Sequence, residues 1–337
     1  MTPPVDGIVL LAKQSGITSF SSLWQVKNAL GTKKIGHTGT LDTFAEGLLV
    51  ALAGRYTRLV PYLSNSDKEY LAEIRFGVET DTLDPDGVPV AEGPLPILQA
   101  VLDSLPRFSG SIMQTPPSFS ALRVNGQRAS DLVRKGMDVE MKPRPITVYT
   151  LEALSAKDAS GNEALRDQAV QSVTVRVVCS KGTYIRSLAR DIAAACGTCA
   201  HLQALRRTRT GPFSLERAAG YSLLSPFPPE SRGVYGVGEK PPQPSPAEIL
   251  SATLPLTDDF ARSCGLASVT LDRAYRDDFR HGKKPSPLWF SPPGHAGSKL
   301  IDCPTGPSAV FSGEDFMGVV SLSPHGARYE FVAEGAG

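Results

Sequence analysis

A chain of 337 residues exceeds one domain of ordinary size and favours two domains, one larger than the other. Hydrophobic residues make up 41% of it and charged residues 20%, a composition that excludes a disordered or fibrous protein. Because the net charge is only +1, a polyanionic partner can be inferred only from local clusters of basic residues.

The N-terminal segment and the cysteines indicate the cellular setting. The first ten residues lack the basic start of a signal peptide, and no apolar run reaches the roughly 18 residues that span a bilayer. The five cysteines are an odd number scattered along the chain, which is not a disulfide framework. We therefore expect a cytoplasmic, soluble protein with reduced thiols and no contact with a membrane.

The first two elements follow from the apolar pattern. The run at residues 7–12 predicts a buried strand. After a turn, the spacing of Leu23 and Val26 predicts a helix from residue 18 or 19 to Leu30, with both side chains facing inward.

A glycine-rich loop with His37 and Asp42 follows this helix and leads into a second apolar element at residues 45–52. Residues 31–38, GTKKIGHT, resemble a phosphate-binding P-loop, but His37 stands where that loop needs a lysine. We therefore reject a nucleoside triphosphatase, and we expect Asp42 on a loop held between packed segments.

The alternation of residues 69–76, EYLAEIRF, predicts a half-buried strand with Tyr70 near its start. The sequence DPDG at residues 84–87 predicts a turn. Residues 118–136 then place basic side chains, Arg123 among them, around an Asn-Gly turn and a short helix. We expect this segment to project from the surface.

Residues 173–179, VTVRVVC, predict a strand, and a helix follows from about Tyr184 to Ala195. Between Cys179 and Arg217, seven basic residues stand against two acidic ones. Such a run is more often a solvated basic face than a track for phosphates, so both interpretations stay open at this point.

Proline, serine and glycine crowd residues 222–250, which predicts a linker. Short β-like runs in residues 251–337 predict a small β-rich domain.

Two kinds of metal-dependent chemistry lack their motifs. The CGTC sequence at residues 196–199 has neither a second such pair nor an HxxxH partner, so we predict no metal site. No histidine is followed two residues later by glutamate, which excludes a zinc-dependent base deaminase.

Seven blocks, taken together and in this order, are more specific than any single residue: LLAKQSGITS at 10–19, KIGHTGTLDTFAEGLL at 34–49, DKEY at 67–70, DTLDPDG at 81–87, PRPITVY at 143–149, CSKGTYIRSLARD at 179–191 and AHLQALRR at 200–207. They resemble the bacterial tRNA pseudouridine-55 synthase family, TruB. The resemblance covers residues 5 to about 220.

The resemblance implies roles for individual residues. Asp42 matches the family's nucleophile, and Arg186 matches the arginine that pairs with it, which we expect to be bidentate. Tyr70 and His37 match ring residues that contact the base, and Leu205 matches an apolar wall. The remaining substrate-binding candidates are Lys13 of the first block, Arg123 of the thumb-like segment 118–136, and three residues of the basic cluster, Lys181, Arg206 and Arg207.

The family fold implied is α+β. It has a mixed, mainly antiparallel sheet with the cleft across its middle in residues 1–221, and a small β-rich C-terminal domain in residues 251–337. That domain is weakly similar to the RNA-binding type called PUA, or a reduced version of it. A structural appendage without RNA contact is the alternative.

The implied reaction converts uridine 55 in the T-loop of tRNA to pseudouridine. It gains and loses no atoms, so no cofactor is expected. An aspartate held by a fixed cation can add either to C6 of the base or to C1′ of the sugar, and the sequence does not separate these routes. The base must leave its stack, and Tyr70 and Leu205 can receive it. We expect a monomer that binds the T-arm without a protein partner.

Thr43 and Gln14 stand where the family usually has proline, which predicts a looser loop around Asp42. Two rival functions remain: an RNA-binding protein that keeps the scaffold without catalysis, and a relative that works inside a guide-RNA ribonucleoprotein. The retention of Asp42, Tyr70 and Arg186 argues against the first. The HTGTLD sequence at residues 37–42 and the lack of lysine-rich tails argue against the second.

Overall fold

The computed structural model of the chain describes residues 6–124, 126–229, 241–293 and 304–333. The helices of this part are α1 Ser19–Leu30, α2 Val60–Leu63, α3 Leu98–Ser104, α4 Ala129–Arg134, α5 Ile185–Ala195, α6 Pro246–Ser251, α7 Asp258–Ser263 and α8 Arg276–Arg280. Its strands are β1 Gly7–Lys13, β2 Ile35–His37, β3 Glu46–Ala53, β4 Lys68–Phe76, β5 Val78–Thr80, β6 Pro89–Glu92, β7 Gly110–Gln114, β8 Arg123–Val124, β9 Gln127–Arg128, β10 Arg144–Lys157, β11 Ser172–Cys179, β12 Ala200–Thr210, β13 Phe213–Ser214, β14 Thr253–Leu254, β15 Ala267–Leu271, β16 Phe290–Ser291, β17 Gly306–Ser312, β18 Asp315–Ser323 and β19 Gly326–Val332.

The described strands form one large sheet and one smaller sheet, besides two short hairpins. The large sheet has the order β14-β1-β3-β12-β4-β11-β10-β7, with β2 beside β3 and β13 beside β12. Its pairs are antiparallel except for β3 and β12. The smaller sheet has the order β16-β15-β17-β18-β19. The predicted α+β class, with a mixed, mainly antiparallel sheet and a β-rich C-terminal part, is confirmed.

Strand β1 is apolar along its length because both of its faces are covered. Val9 and Leu11 pack with α1 and α6, whereas Ile8 and Leu10 face the core shared with the C-terminal sheet. A strand buried on both faces has a continuous apolar sequence rather than an alternating one. The strand predicted at residues 7–12 is confirmed.

Local sequence sets both ends of α1. The Thr18 hydroxyl accepts a hydrogen bond from the Ser21 amide at 3.1 Å and caps the first turn. Gly31 ends the helix with φ +61°, a left-handed conformation that glycine adopts without steric cost. The predicted helix to Leu30, with Leu23 and Val26 buried, is confirmed.

The middle of the sheet carries the alternation predicted for β4. Tyr70 and every second residue after it are buried, and α5 packs over this region. The predicted strand at 173–179 is β11, and the predicted helix at 184–195 is α5. The start of β4 thereby pairs with the end of β12, and Ile185 at the start of α5 packs into the same core.

The predicted linker at 222–250 is too long at its C-terminal end. Pro246 begins α6, which Ser245 caps, and Ile249 packs into the core beside β1. Strand β14 then pairs with β1. Proline was taken as a linker signal, but proline at the first position of a helix is favourable because its missing N–H has no partner there. Residues 230–240 of the predicted linker lie outside the described residues.

The two sheets share a core. Tyr56 and Phe316 meet edge to face with ring centres 5.4 Å apart, and the Arg55 guanidinium donates to the Ala333 carbonyl at 2.7 Å. The C-terminal sheet therefore packs on the face of the large sheet opposite α1. Among the described residues, no helix has the length and apolar character to cross a bilayer.

Candidate active site

A cleft of about 580 Å³ opens over β4 and β12, a volume within the range of pockets that hold small ligands. The structure brings several of the predicted site residues into its wall: Asp42, Tyr70, Lys181, Arg186, Leu205 and Arg207. Lys13, His37, Arg123 and Arg206 are not part of that wall.

Asp42 and Arg186 form an ion pair at the centre of the cleft. The Asp42 Oδ2 atom lies 2.9 Å from Arg186 Nε, but the Nε–H does not point well enough at an acceptor for a hydrogen bond. The Arg186 side chain is 6% exposed and that of Asp42 is 40% exposed. The carboxylate therefore faces the cleft while its counter-charge is buried beneath it.

Arg186 divides its donors rather than directing them all at Asp42. One terminal nitrogen donates to the Thr82 carbonyl at 2.6 Å, and the other donates to the Phe119 carbonyl at 3.0 Å. The bidentate pairing expected for Asp42 is corrected accordingly. A guanidinium held from three sides has a fixed orientation, so it fixes the carboxylate that it contacts.

Asp84 is a second acid on Arg186 and was not named as a site residue. Its Oδ2 lies 3.4 Å from an Arg186 terminal nitrogen, and the Thr82 hydroxyl donates to its Oδ1 at 2.6 Å. Burial raises the pKa of the Asp84 carboxyl above its ordinary value, against the opposing effects of Thr82 and Arg186. Leu83, which lies between Thr82 and Asp84 in the chain, has φ +60°, a strained conformation for a residue other than glycine.

The backbone around Asp42 is held by hydrogen bonds from the first residue of α1 and from the turn that precedes it. The Ser19 hydroxyl donates to the Leu41 carbonyl and accepts from the Leu41 amide, both at 2.9 Å. Ser15 donates to the Phe44 carbonyl at 2.7 Å, and the Gly16 amide donates to the Thr43 carbonyl at 2.8 Å. These bonds oppose the looseness predicted from the missing prolines.

Lys13 also belongs to this support and not to the cleft surface. It is 1% exposed, and its Nζ donates to the carbonyls of Gln14 at 3.1 Å, Thr43 at 3.3 Å and Ala45 at 2.6 Å. Burial lowers its pKa to about 7. The expected substrate contact is corrected, because a lysine enclosed by backbone acceptors holds the loop instead.

Tyr70, Leu205 and Arg207 share the face of the sheet that floors the cleft. Tyr70 stands directly opposite Arg207 in the β4–β12 register, and Leu205 is two residues before Arg207. Burial raises the pKa of the Tyr70 hydroxyl, and the Arg207 guanidinium, which bonds to it, acts in the opposite direction. An aromatic ring and an aliphatic side chain thus line the same cleft as the Asp42 carboxylate.

Arg206 and Arg207 of the basic cluster also support the structure. Arg206 Nε donates to Glu46 Oε1 at 2.8 Å, and a terminal nitrogen donates to the Ser225 carbonyl at 2.6 Å. Arg207 donates to the carbonyls of Leu48 at 2.7 Å and Gly39 at 3.0 Å. Both are buried, because β12 lies inside the sheet. The substrate contact expected of Arg206 is therefore corrected, whereas Arg207 still lines the cleft.

The rim of the cleft holds accessible basic side chains. Lys181 is exposed, and its Nζ lies 2.6 Å from Asn65 Oδ1. The thumb-like segment forms the hairpin β8–β9 and helix α4, and it contributes Arg128 and Arg134 to the wall. Arg123 is exposed on the same hairpin and donates to the Gly126 carbonyl at 3.1 Å.

His37 is half-buried at the end of β2, one residue before Thr38 of the cleft wall. Burial, and secondarily the charge of Arg207, lower the pKa of its ring. Its Nδ1 is buried without a hydrogen-bond partner.

The described part of the chain holds no group of three or more side chains of the types that bind metal ions. Its cysteines are free, and Cys303 lies outside the described residues. The cleft combines an exposed carboxylate, a buried cation and a floor with an aromatic ring and an aliphatic side chain. That combination suits nucleophilic attack on a planar ring held by stacking.

Comparison with known proteins identifies the family. A family model described as "TruB family pseudouridylate synthase (N terminal domain)" matches residues 27–185, and one described as "tRNA pseudouridylate synthase B C-terminal domain" matches residues 186–224. Curated proteins named tRNA pseudouridine synthase B are also similar. The protein from Treponema denticola is 39% identical, and the match covers 96% of this chain and 97% of that protein. The protein from Treponema pallidum is 41% identical, with 97% of each chain covered.

Among solved structures, the chain is similar to one titled "Crystal Structure of a Cbf5-Nop10-Gar1 Complex". The TM-score is 0.61 at 23% identity, with 97% of this chain and 84% of that chain covered. At this identity the likeness shows the fold. The sequence matches over nearly the full length go further, and together with the family models they show that the chain belongs to the TruB family of pseudouridylate synthases.

Proposed function

We propose that the chain isomerises uridine 55 in the T-loop of tRNA to pseudouridine, with Asp42 as the nucleophile and the target base flipped into the cleft. One observation carries the proposal. The Asp42 carboxylate faces the cleft and lies 2.9 Å from a buried guanidinium, beside the Tyr70 ring. A carboxylate oriented in this way by a fixed cation can form and release a bond to carbon.

The atoms of the reaction balance without an added reagent. The N1–C1′ bond breaks, the uracil turns, and a C5–C1′ bond forms, while the proton leaves C5 and N1 gains one. Asp42 adds to C6 or to C1′ and later departs. Tyr70 and Leu205 support the uracil from the floor of the cleft during the turn, and the Tyr70 hydroxyl assists removal of the C5 proton.

The surroundings of the cleft suit a folded RNA. Arg128, Arg134 and Lys181 stand at its rim, where cations can bind phosphates and position the T-arm. Because such contacts release counterions, binding should weaken as salt concentration rises. We propose that the protein acts in the cytoplasm as a monomer, without a guide RNA or protein partner.

The experiment uses unmodified tRNA labelled with tritium at C5 of uridine. The wild type should release tritium, and Asp42→Asn should lose at least about three orders of magnitude in single-turnover rate while still binding the RNA. Asp167→Asn, which removes an exposed carboxylate from the loop before β11, away from the cleft wall, is the matched control and should retain the rate. Absence of release by the wild type contradicts the enzyme, and full release by Asp42→Asn contradicts the nucleophile. Sequencing the product for the modified position tests uridine 55.

A further inference from the structure

One face of α1 carries aromatic side chains that the fold leaves at the surface. Phe20 is 72% exposed and Trp24 is 60% exposed, and residues four apart are neighbours on a helix. The Lys27 ammonium, on the next turn, lies 4.9 Å from the centre of the Phe20 ring. The packing face of α1 is a different one, which is buried against α6 and the sheet.

The chain segment that carries this stripe has charge of one sign. From Gly7 to Leu41 the sequence contains four lysines and no acidic residue. Lys13 is buried, whereas Lys33 and Lys34 are exposed just beyond the end of α1. Flat aromatic faces beside cations match a polyanion whose units also have flat faces, which is how single-stranded nucleic acid is bound without sequence readout.

The stripe starts next to the catalytic loop. Ser19, which precedes Phe20, makes two hydrogen bonds of 2.9 Å to Leu41, which precedes Asp42. An RNA whose uridine reaches Asp42 therefore also comes close to the N-terminal end of α1.

From this juxtaposition we propose that Phe20 and Trp24 form a second RNA contact outside the cleft. They stack unpaired bases of the substrate RNA, and Lys27, Lys33 and Lys34 bind the adjoining phosphates. The proposal rests on the proposed function for the identity of the RNA. It assigns α1 to substrate affinity and not to chemistry.

Trp24 provides its own readout, since the chain has two tryptophans. The other, Trp289, is 8% exposed and stacked on Tyr275 at 5.2 Å, and Trp289→Phe removes its signal. In that background, with Asp42→Asn to prevent turnover, unmodified tRNA should quench Trp24 emission.

In otherwise wild-type protein, Phe20→Ala and Trp24→Ser should each raise Kd about fivefold or more. The single-turnover rate at saturating RNA should stay unchanged, which a merely destabilised protein would not show. Leu165→Ser is the matched control. It removes an apolar side chain that is 66% exposed, on the loop that precedes β11, whereas Lys181 of the cleft follows β11.

Unchanged Trp24 emission and unchanged Kd in both variants, with the RNA still bound and isomerised, would overturn this inference and leave the proposed function intact. A wild type that binds the RNA without isomerising it would instead contradict the proposed function. A dimer in light scattering that Trp24→Ser dissociates would assign the face to a second copy and overturn the RNA contact.

Discussion

The cleft and the C-terminal sheet are stabilised by opposite means. Around the cleft, Arg186, Arg206 and Lys13 are charged groups enclosed by carboxylates and backbone carbonyls. In the C-terminal part, ion pairs such as Arg262 with Asp258 lie at the surface, while apolar and aromatic side chains fill the interior. Buried ion pairs repay their desolvation only with good geometry, and exposed pairs contribute little. The cleft therefore gains orientation from its charges, and the C-terminal sheet gains stability from its apolar core.

Removing Arg186, the cation that Asp42 and Asp84 share, should have the largest effect on both stability and rate. Arg186→Met leaves Asp42 without its counter-charge and Asp84 buried and unpaired. We expect a loss of about 3–5 kcal/mol in the free energy of unfolding and a rate reduced by at least about three orders of magnitude. Urea unfolding and single-turnover tritium release measure the two quantities.

The double variant Arg186→Met with Asp84→Asn separates stability from chemistry. Neutralising Asp84 removes the unpaired buried charge, so part of the stability should return while the rate stays low. Recovery of the rate together with stability would mean that Arg186 acts on folding alone.

Tyr70→Phe tests whether the floor of the cleft takes part in proton transfer. The ring remains for stacking, but the hydroxyl that contacts Arg207 is gone. We expect a rate lower by about two orders of magnitude or more, the usual contribution of a positioned acid or base. Tyr184→Phe, which alters another tyrosine of the wall, should change the rate less. Unchanged turnover in Tyr70→Phe would leave stacking as the only role of this residue.

Local sequence signals predicted individual helices and strands, but not which distant residues meet in the cleft. Helix α1 and strand β4 follow from local signals, a cap, a glycine and an alternation, so their limits were predictable. The pairing of Asp42 with Arg186 came from the family resemblance, because no local rule joins residues so far apart in the chain.

Burial of charge was the main failure. Arg206 and Arg207, both proposed to bind substrate, are consecutive residues of a strand and point to opposite faces, and both are buried although arginine usually lies at the surface. Asp84 was interpreted as a turn residue, which it also is: its Oδ1 accepts from the Asp86 amide at 3.1 Å. The DTLDPDG block at residues 81–87, which matches the family pattern, was the signal that could have identified Asp84 as a site residue.

The burial of Lys13 should make the free energy of unfolding depend on pH. Its folded-state pKa of about 7 lies below its ordinary value of 10.5. Between these values the unfolded chain binds a proton that the folded chain does not, so this group makes the free energy of unfolding rise with pH. Below about pH 7 the full cost of burying the ammonium remains.

Lys13→Met should lack that slope, so its deficit relative to the wild type should widen from pH 7 towards pH 10, by an amount on the order of a few kcal/mol. Thermal or urea unfolding across that range measures it, with Lys33→Met, an exposed lysine, as the control. Parallel pH profiles for wild type and Lys13→Met would show that the ammonium is not destabilised by burial.

The smallest effect is expected in the C-terminal part. Arg262 pairs with Asp258 and Asp259 at 2.8 Å each, on the short helix α7, and its side chain is 48% exposed. Arg262→Gln should lower the free energy of unfolding by less than about 1 kcal/mol and leave the rate of isomerisation unchanged, since all three side chains are partly exposed to water. A loss comparable to that of Arg186→Met would mean that the two regions do not differ in how their charges act. Added salt should erase the small effect at Arg262 and leave the large one at Arg186, because screening reaches exposed charges far more than buried ones.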